Sequence, residues 1–148
     1  MSRILKPPSQ HLLENRIIYL AGEINTTCAH YVISNLLVLN SIDKESDIRL
    51  YITSDGGSTY AGLAIYDCIQ MIQASVATFC VGQAFSMAAW ILAAGEPGKR
   101  YATPNSRILL HQFWMRTAGT TSDIRIAGFL TNSMLKLVWT MMAPQSIL

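Results

Sequence analysis

Three places in this chain combine residue types that could carry out acyl transfer. Ser86 lies in Gly82-Gln83-Ala84-Phe85-Ser86-Met87, where an apolar run gives way to small residues of helical character. A hydroxyl at the start of a helix sits among unpaired backbone N–H groups, and those groups can stabilise an oxygen that becomes negative during carbonyl attack. Read alone, the same serine could simply cap the helix. Gly56 and Gly57 are adjacent after a second apolar run. They either form a tight turn or allow a main chain to approach a ligand closely. His111 ends the run Arg107 to Leu110, and imidazole is suited to moving a proton near neutral pH. Its alternative is a histidine satisfied by main-chain carbonyls.

A serine–histidine pair works best with a third group that orients the ring. The carboxylates of the chain are Glu14, Glu23, Asp43, Glu45, Asp47, Asp55, Asp67, Glu96 and Asp123, and none stands at the end of a later strand. The serine is not in a Gly-x-Ser-x-Gly elbow, and no phosphate-binding glycine motif occurs. Cys28, Cys68 and Cys80 lack metal-site spacing and lie in apolar patterns, which reads as small buried thiols. No cofactor or metal is expected.

The elements that must position these residues alternate. Arg16 to Ala21 reads as a buried strand, and Asn25 caps a helix with Tyr31, Val32, Leu36 and Leu39 on one face, ending near Asn40. A strand over Ile48 to Thr53 breaks at Asp55-Gly56-Gly57, and a helix capped by Ser58 runs to about Gln73. A strand over Val76 to Val81 ends at Gly82, a short helix follows from about Ser86 to Ala94, and Gly95 to Gly98 turns. Arg107 to Leu110 is a further strand, and Ser122 to Met142 is helical until Pro144. The strands read as continuous apolar runs, so the expected fold class is α/β with a mostly parallel sheet covered by helices. In such sheets reactive groups gather beyond the carboxyl ends of the strands. Here the segments Ser54 to Gly57, Gly82 to Ser86 and His111 to Gln112 fall at those ends.

Composition narrows the function further. Hydrophobic residues make up 51% and charged residues 14% of 148 positions, so part of the surface is expected to be covered by another subunit. The net charge of +2 comes from scattered cations with no basic stripe, which argues against nucleic acid as a partner. The longest apolar stretches are broken by Gln83, Glu96 or Arg125 before membrane-spanning length. No membrane partner is therefore expected. The opening residues are polar, with Pro7 and Pro8 and no secretory apolar core, so a cytoplasmic location is expected, with an organelle matrix or stroma as the variant.

Taken together, the motifs carry a family resemblance. YITSDGGSTYAGLAIYDCIQ resembles the Ser-Pro-Gly-Gly segment of the Clp protease proteolytic subunits, with Asp55 where proline is usual. CVGQAFSMAAWILAAGEPGKRYATPNSRILLHQ resembles their nucleophile and histidine region almost position for position, and the likeness runs from about Leu12 to Ser133. The joint spacing of Gly-Gly, Ser-Met and His-Gln is far more specific than any one of them. The resemblance implies a serine endopeptidase with Ser86 as nucleophile and His111 as general base. It implies an oxyanion hole from the N–H groups of Gly57 and Met87. It also implies a Clp/crotonase-type βαβ spiral and assembly into two stacked seven-membered rings, a tetradecamer enclosing a chamber. An ATP-dependent Clp unfoldase feeds polypeptide into such a chamber, and related Clp subunits can share the ring. The domain layout implied is a polar arm over 1–11, a peptidase head over 12–111, and a handle strand and helix over 112–148.

Three departures qualify that picture. The family's triad aspartate lies beyond the handle helix, past Leu148, and Asp123 is not its equivalent, so these residues by themselves are expected to be weak or inactive. The Pro-Leu-Gly-Gly that usually follows His-Gln is replaced by Phe113-Trp114-Met115-Arg116. The arm before Leu12 is short, which puts unfoldase docking in question. Two other readings stay open: an inactive structural paralogue in a mixed Clp ring, and a crotonase-type acyl-CoA enzyme.

Overall fold

The computed structural model describes residues 7–111 and 120–122. The chain divides into two units, Met1–Leu109 and Leu110–Leu148. In the second, Leu110 is half-buried, His111 is exposed, and residues 121–122 are helical. The handle strand and helix expected over about Phe113 to Met142 otherwise lie outside the described residues.

The first unit is built from α1 (Pro8–Glu14), β1 (Ile17–Ala21), α2 (Thr26–Ile42), β2 (Ile48–Ser54), α3 (Thr59–Met71), β3 (Val76–Phe85), α4 (Met87–Ala93), β4 (Arg100–Ala102) and β5 (Arg107–Leu109). The sheet runs β1-β2-β3-β4, with β5 also on β3, and every pairing is parallel. Helices therefore alternate with parallel strands, as the apolar runs imply.

Local chemistry explains the element ends. Asn25 Oδ1 accepts the Cys28 N–H at 3.0 Å and Ser58 Oγ accepts the Ala61 N–H at 3.4 Å, so both expected caps form. The helix α1 was not legible as such; Pro8 stands at its first position, where a missing N–H costs nothing. The short β4 also went unread, because three residues give no period to detect.

The core lies on one face of the sheet. Ile18, Leu20, Ile48, Leu50, Ile52, Val76, Thr78 and Cys80 are buried there beneath α2 and α4, and α3 packs against both helices. The Thr78 hydroxyl donates to the Leu92 carbonyl at 2.8 Å, joining β3 to α4. The opposite face carries Tyr19, Tyr51, Phe79 and Tyr101 in cross-strand register, and the rings of Tyr51, Phe79 and Tyr101 stack at centroid distances of 4.6 and 4.7 Å. Tyr19 and Tyr101 remain 44% and 47% exposed. The apolar runs are thus not buried on both sides: one face packs under helices and the other is a half-exposed aromatic ladder.

One boundary differs in a way that matters for the site. Gly82 does not end its strand; β3 continues to Phe85. The register between β2 and β3 shifts between Ile52 and Ser54, which pair with Cys80 and Ala84, leaving extra residues on β3. Gly82 absorbs that bulge at φ 77, a conformation closed to most side chains. Beyond the bulge, β3 gives up β4 and pairs with β5 instead.

Candidate functional site

The turn from β3 into α4 places Ser86 at φ 53 and ψ −120, one of two non-glycine residues with positive φ among the described residues. Such a conformation is strained for an L-residue and is held by its surroundings. Two backbone bonds hold it: the Ser86 N–H donates to the Leu109 carbonyl at 2.8 Å, and the Ser86 carbonyl accepts the Ala89 N–H at 3.0 Å. The side chain makes no capping bond, so the helix-cap reading of this serine fails. Its residue is half-buried, at the surface end of an otherwise buried helix.

The Ser54–Gly57 loop lies directly against this turn. A Cβ built on Gly56 would lie 2.8 Å from the Phe85 carbonyl oxygen, 2.9 Å from the Ser86 Cβ and 3.1 Å from the Met87 nitrogen. Gly56 also has φ 96. The glycine requirement is therefore one of close approach and of backbone conformation together. Gly57, for its part, packs against the Ile24 main chain, where any Cβ would overlap the carbonyl oxygen. Ile24 pins the loop by donating its N–H to the Gly56 carbonyl at 2.9 Å and accepting the Ser58 N–H at 2.7 Å. The buried Ser54 hydroxyl accepts the Gly56 N–H at 3.0 Å. Among the described residues, neither the Gly57 N–H nor the Met87 N–H donates a hydrogen bond. Met87 is itself fixed, because its side chain is buried against Gly62 of α3.

This arrangement can present unsatisfied amides beside a hydroxyl at the carboxyl end of a parallel sheet. Phe85 and Leu109 are register partners at the ends of β3 and β5, so Ser86 and the chain leading to His111 depart from neighbouring strand ends. His111 belongs to the second unit.

Sequence reasoning named Gly57 as an oxyanion donor, but gave Gly56, Ser54 and Gln83 no role beyond the tight turn and the strand-end segments that contain them. The tandem glycines were the available signal for Gly56, but which of the two meets Ser86 is a matter of tertiary contact. The cysteines offer no rival nucleophile. Burial pushes the thiols of Cys28, Cys68 and Cys80 up from their ordinary range, which disfavours the thiolate. No group of three or more His, Cys, Asp or Glu side chains able to hold a metal occurs among the described residues, and no helix there is long and apolar enough to cross a membrane.

Comparison with known proteins adds a separate line of observation. A family model described as Clp protease matches residues 3–146. An ATP-dependent Clp protease proteolytic subunit from Borreliella afzelii is 49% identical over 134 residues, covering 90% of this chain and 68% of that protein. The ATP-dependent Clp protease proteolytic subunit 1 of Borreliella burgdorferi is 48% identical over 134 residues, 90% of this chain and 69% of that protein. The corresponding subunit of Borrelia garinii subsp. bavariensis matches to the same extent.

Proposed function

The chain belongs to the Clp protease family, and from that premise we propose that it is a proteolytic subunit of an ATP-dependent Clp protease, a serine endopeptidase acting on unfolded polypeptide. The observation that carries this reading is Ser86 itself. It is a strained, uncapped serine at a strand-to-helix turn, packed against a double glycine and followed by an amide without an acceptor among the described residues.

In this reading the Ser86 Oγ attacks the carbonyl carbon of a peptide bond while His111 takes its proton. The tetrahedral oxygen becomes negative and is held by the N–H groups of Gly57 and Met87, where fixed dipoles are worth more than mobile water. His111 then returns the proton to the departing amine as the C–N bond breaks. Water hydrolyses the acyl-enzyme by the same route in reverse.

Self-association follows from the surface. Tyr60, Met71 and Ile42 are 79%, 70% and 72% exposed, and the aromatic ladder is half open. A contiguous apolar face such as that ladder is the kind of surface that partner subunits cover. The finer assembly is two stacked heptameric rings, with the head as a Clp/crotonase-type spiral over 12–111 and a handle over 112–148 joining the rings. A Clp ATPase supplies the ATP dependence, since the chain carries no phosphate-binding motif. The setting is the cytoplasm.

The test is active-site labelling of the assembled protein with a small phosphonate, read by mass spectrometry beside fluorogenic peptide turnover. The expected result is a single adduct at Ser86 and the loss of measurable turnover in Ser86→Ala. Turnover unchanged in Ser86→Ala, or a label carried elsewhere, would overturn the reading.

A further inference from the structure

Asp55 stands in the loop that faces Ser86, and its carboxylate is tied sideways. The Gln83 Nε2 donates to Asp55 Oδ1 at 2.5 Å. A carboxylate can only accept here, so the amide must turn its NH₂ toward it, and the bond is of the charge-assisted kind. Its position is informative. Gln83 sits on the β3 bulge three residues before Ser86, and Asp55 immediately precedes Gly56.

At this point in the sheet the β2–β3 register slips, between the pairs Ile52–Cys80 and Ser54–Ala84, so the regular ladder does not tie the two chains across the bulge. The loop is held on its inner side by the Ser54 hydroxyl and by Ile24, through Gly56 and Ser58. On its outer side the Asp55–Gln83 bond spans to β3. A proline at the Asp55 position, as the family resemblance has it, would stiffen the loop by fixing its own φ. Aspartate does not, and its carboxylate instead adds a cross-strand contact to the one that the Thr53 hydroxyl makes with the Val81 carbonyl at 2.6 Å.

We infer that Asp55 is a positioning residue, which with Gln83 clamps the Ser54–Gly57 loop to the bulge of β3 and so holds the Gly57 N–H at its working distance from the oxygen of the tetrahedral intermediate. The inference rests on the reading of Gly57 as an oxyanion donor. The clamp acts in the transition state and not on the bound substrate, so it governs kcat and leaves KM nearly untouched.

The experiment is a double-mutant cycle on the assembled protein with Asp55→Ala, Gln83→Ala and the double variant, plus Asp55→Asn and Ser86→Ala. Peptide kcat, KM and the rate of phosphonate labelling are measured for each. The expected result is a fall in kcat of about tenfold in either single variant, with KM within about twofold. The double variant is no slower than the singles, because one contact is lost in all three. Asp55→Asn keeps an acceptor oxygen and recovers most of the rate, which a general loss of folding would not reproduce. Losses that multiply in the double variant, singles within about twofold of the parent in kcat, or Asp55→Asn as slow as Asp55→Ala would overturn the clamp. If turnover depends on Ser86 and the cycle still fails, only the clamp is lost; if Ser86→Ala keeps full turnover, the peptidase reading and the clamp fall together.

Discussion

Gly56 and Ser86 touch: a Cβ on the glycine would come within 2.9 Å of the serine's own Cβ, with the Phe85 carbonyl and the Met87 nitrogen on either side. The contact joins two strand ends that are about thirty residues apart in sequence. It explains why a glycine is needed before Gly57, and it makes the loop and the turn a single mechanical unit.

Gly56→Ala is therefore expected to damage activity. The new methyl has nowhere to go except by pushing the Ser86 turn outward, and φ 96 adds strain of order 1–2 kcal/mol. Peptide turnover should fall by at least about 10²-fold, since displacement of a reacting group by an ångström costs that much. Thermal unfolding of the same variant should show a drop of several degrees and no more. Activity near the parent's would mean that the loop and the turn move independently.

Ser86 offers a comparison that separates function from stability. Its φ of 53 and ψ of −120 lie where glycine is at ease and other residues are not. Ser86→Gly should raise stability in urea by about 1 kcal/mol relative to Ser86→Ala, while both lack peptidase activity. A glycine variant no more stable than the alanine variant would show that the turn carries little strain.

What sequence could deliver here was local chemistry and its joint spacing. The caps at Asn25 and Ser58 form where side-chain type demands them, and the apolar runs emerge as parallel strands. The end of β3 was misplaced because a glycine in a strand looks the same whether it stops the ladder or bulges within it. Only the partner strand's register decides, and that lies about thirty residues upstream. The exposed face of the sheet was hidden for a similar reason. Tyr19, Tyr51, Phe79 and Tyr101 are apolar by composition, so runs containing them resemble strands buried on both sides. Asp55 stood out only as a departure from the family's usual proline, and its pairing with Gln83 gave no signal until the fold sets the two side by side.

Arg16 is expected to be the costliest polar side chain to remove from the first unit. Its guanidinium donates to the carbonyls of Leu39, Asp43, Ser46 and Asp47 at 2.8–3.2 Å, gathering the end of α2 and the loop that leads into β2. Cationic donors suit the unpaired carbonyls of a helix end, and a planar fork reaches several at once. Arg16→Ala should lower unfolding stability by about 2–3 kcal/mol in urea titration, and Arg16→Lys should recover less than half of it. Full recovery by lysine would show that charge alone matters and the fork geometry does not.

The same loop sets a pH dependence of stability at the acid end. Asp43 has its carboxyl lowered to about 2, first by the Ser46 hydroxyl and then by the N–H groups of Glu45 and Ser46. The Glu45 N–H donates to Asp43 Oδ1 at 2.8 Å. A carboxyl whose folded-state affinity for protons is depressed favours folding wherever it is ionised, so its contribution is complete above the ordinary carboxylate range. It is lost as pH falls from that range, near 4, through about 2, because the unfolded chain takes up the proton first. Asp43→Ala should thus be less stable than the parent at neutral pH, with the gap between the two closing across that window. Urea titrations of both proteins at several pH values measure it. A gap that persists unchanged down to pH 2 would mean that the alanine variant loses packing or loop conformation, and not the ionised carboxylate's hydrogen bonds.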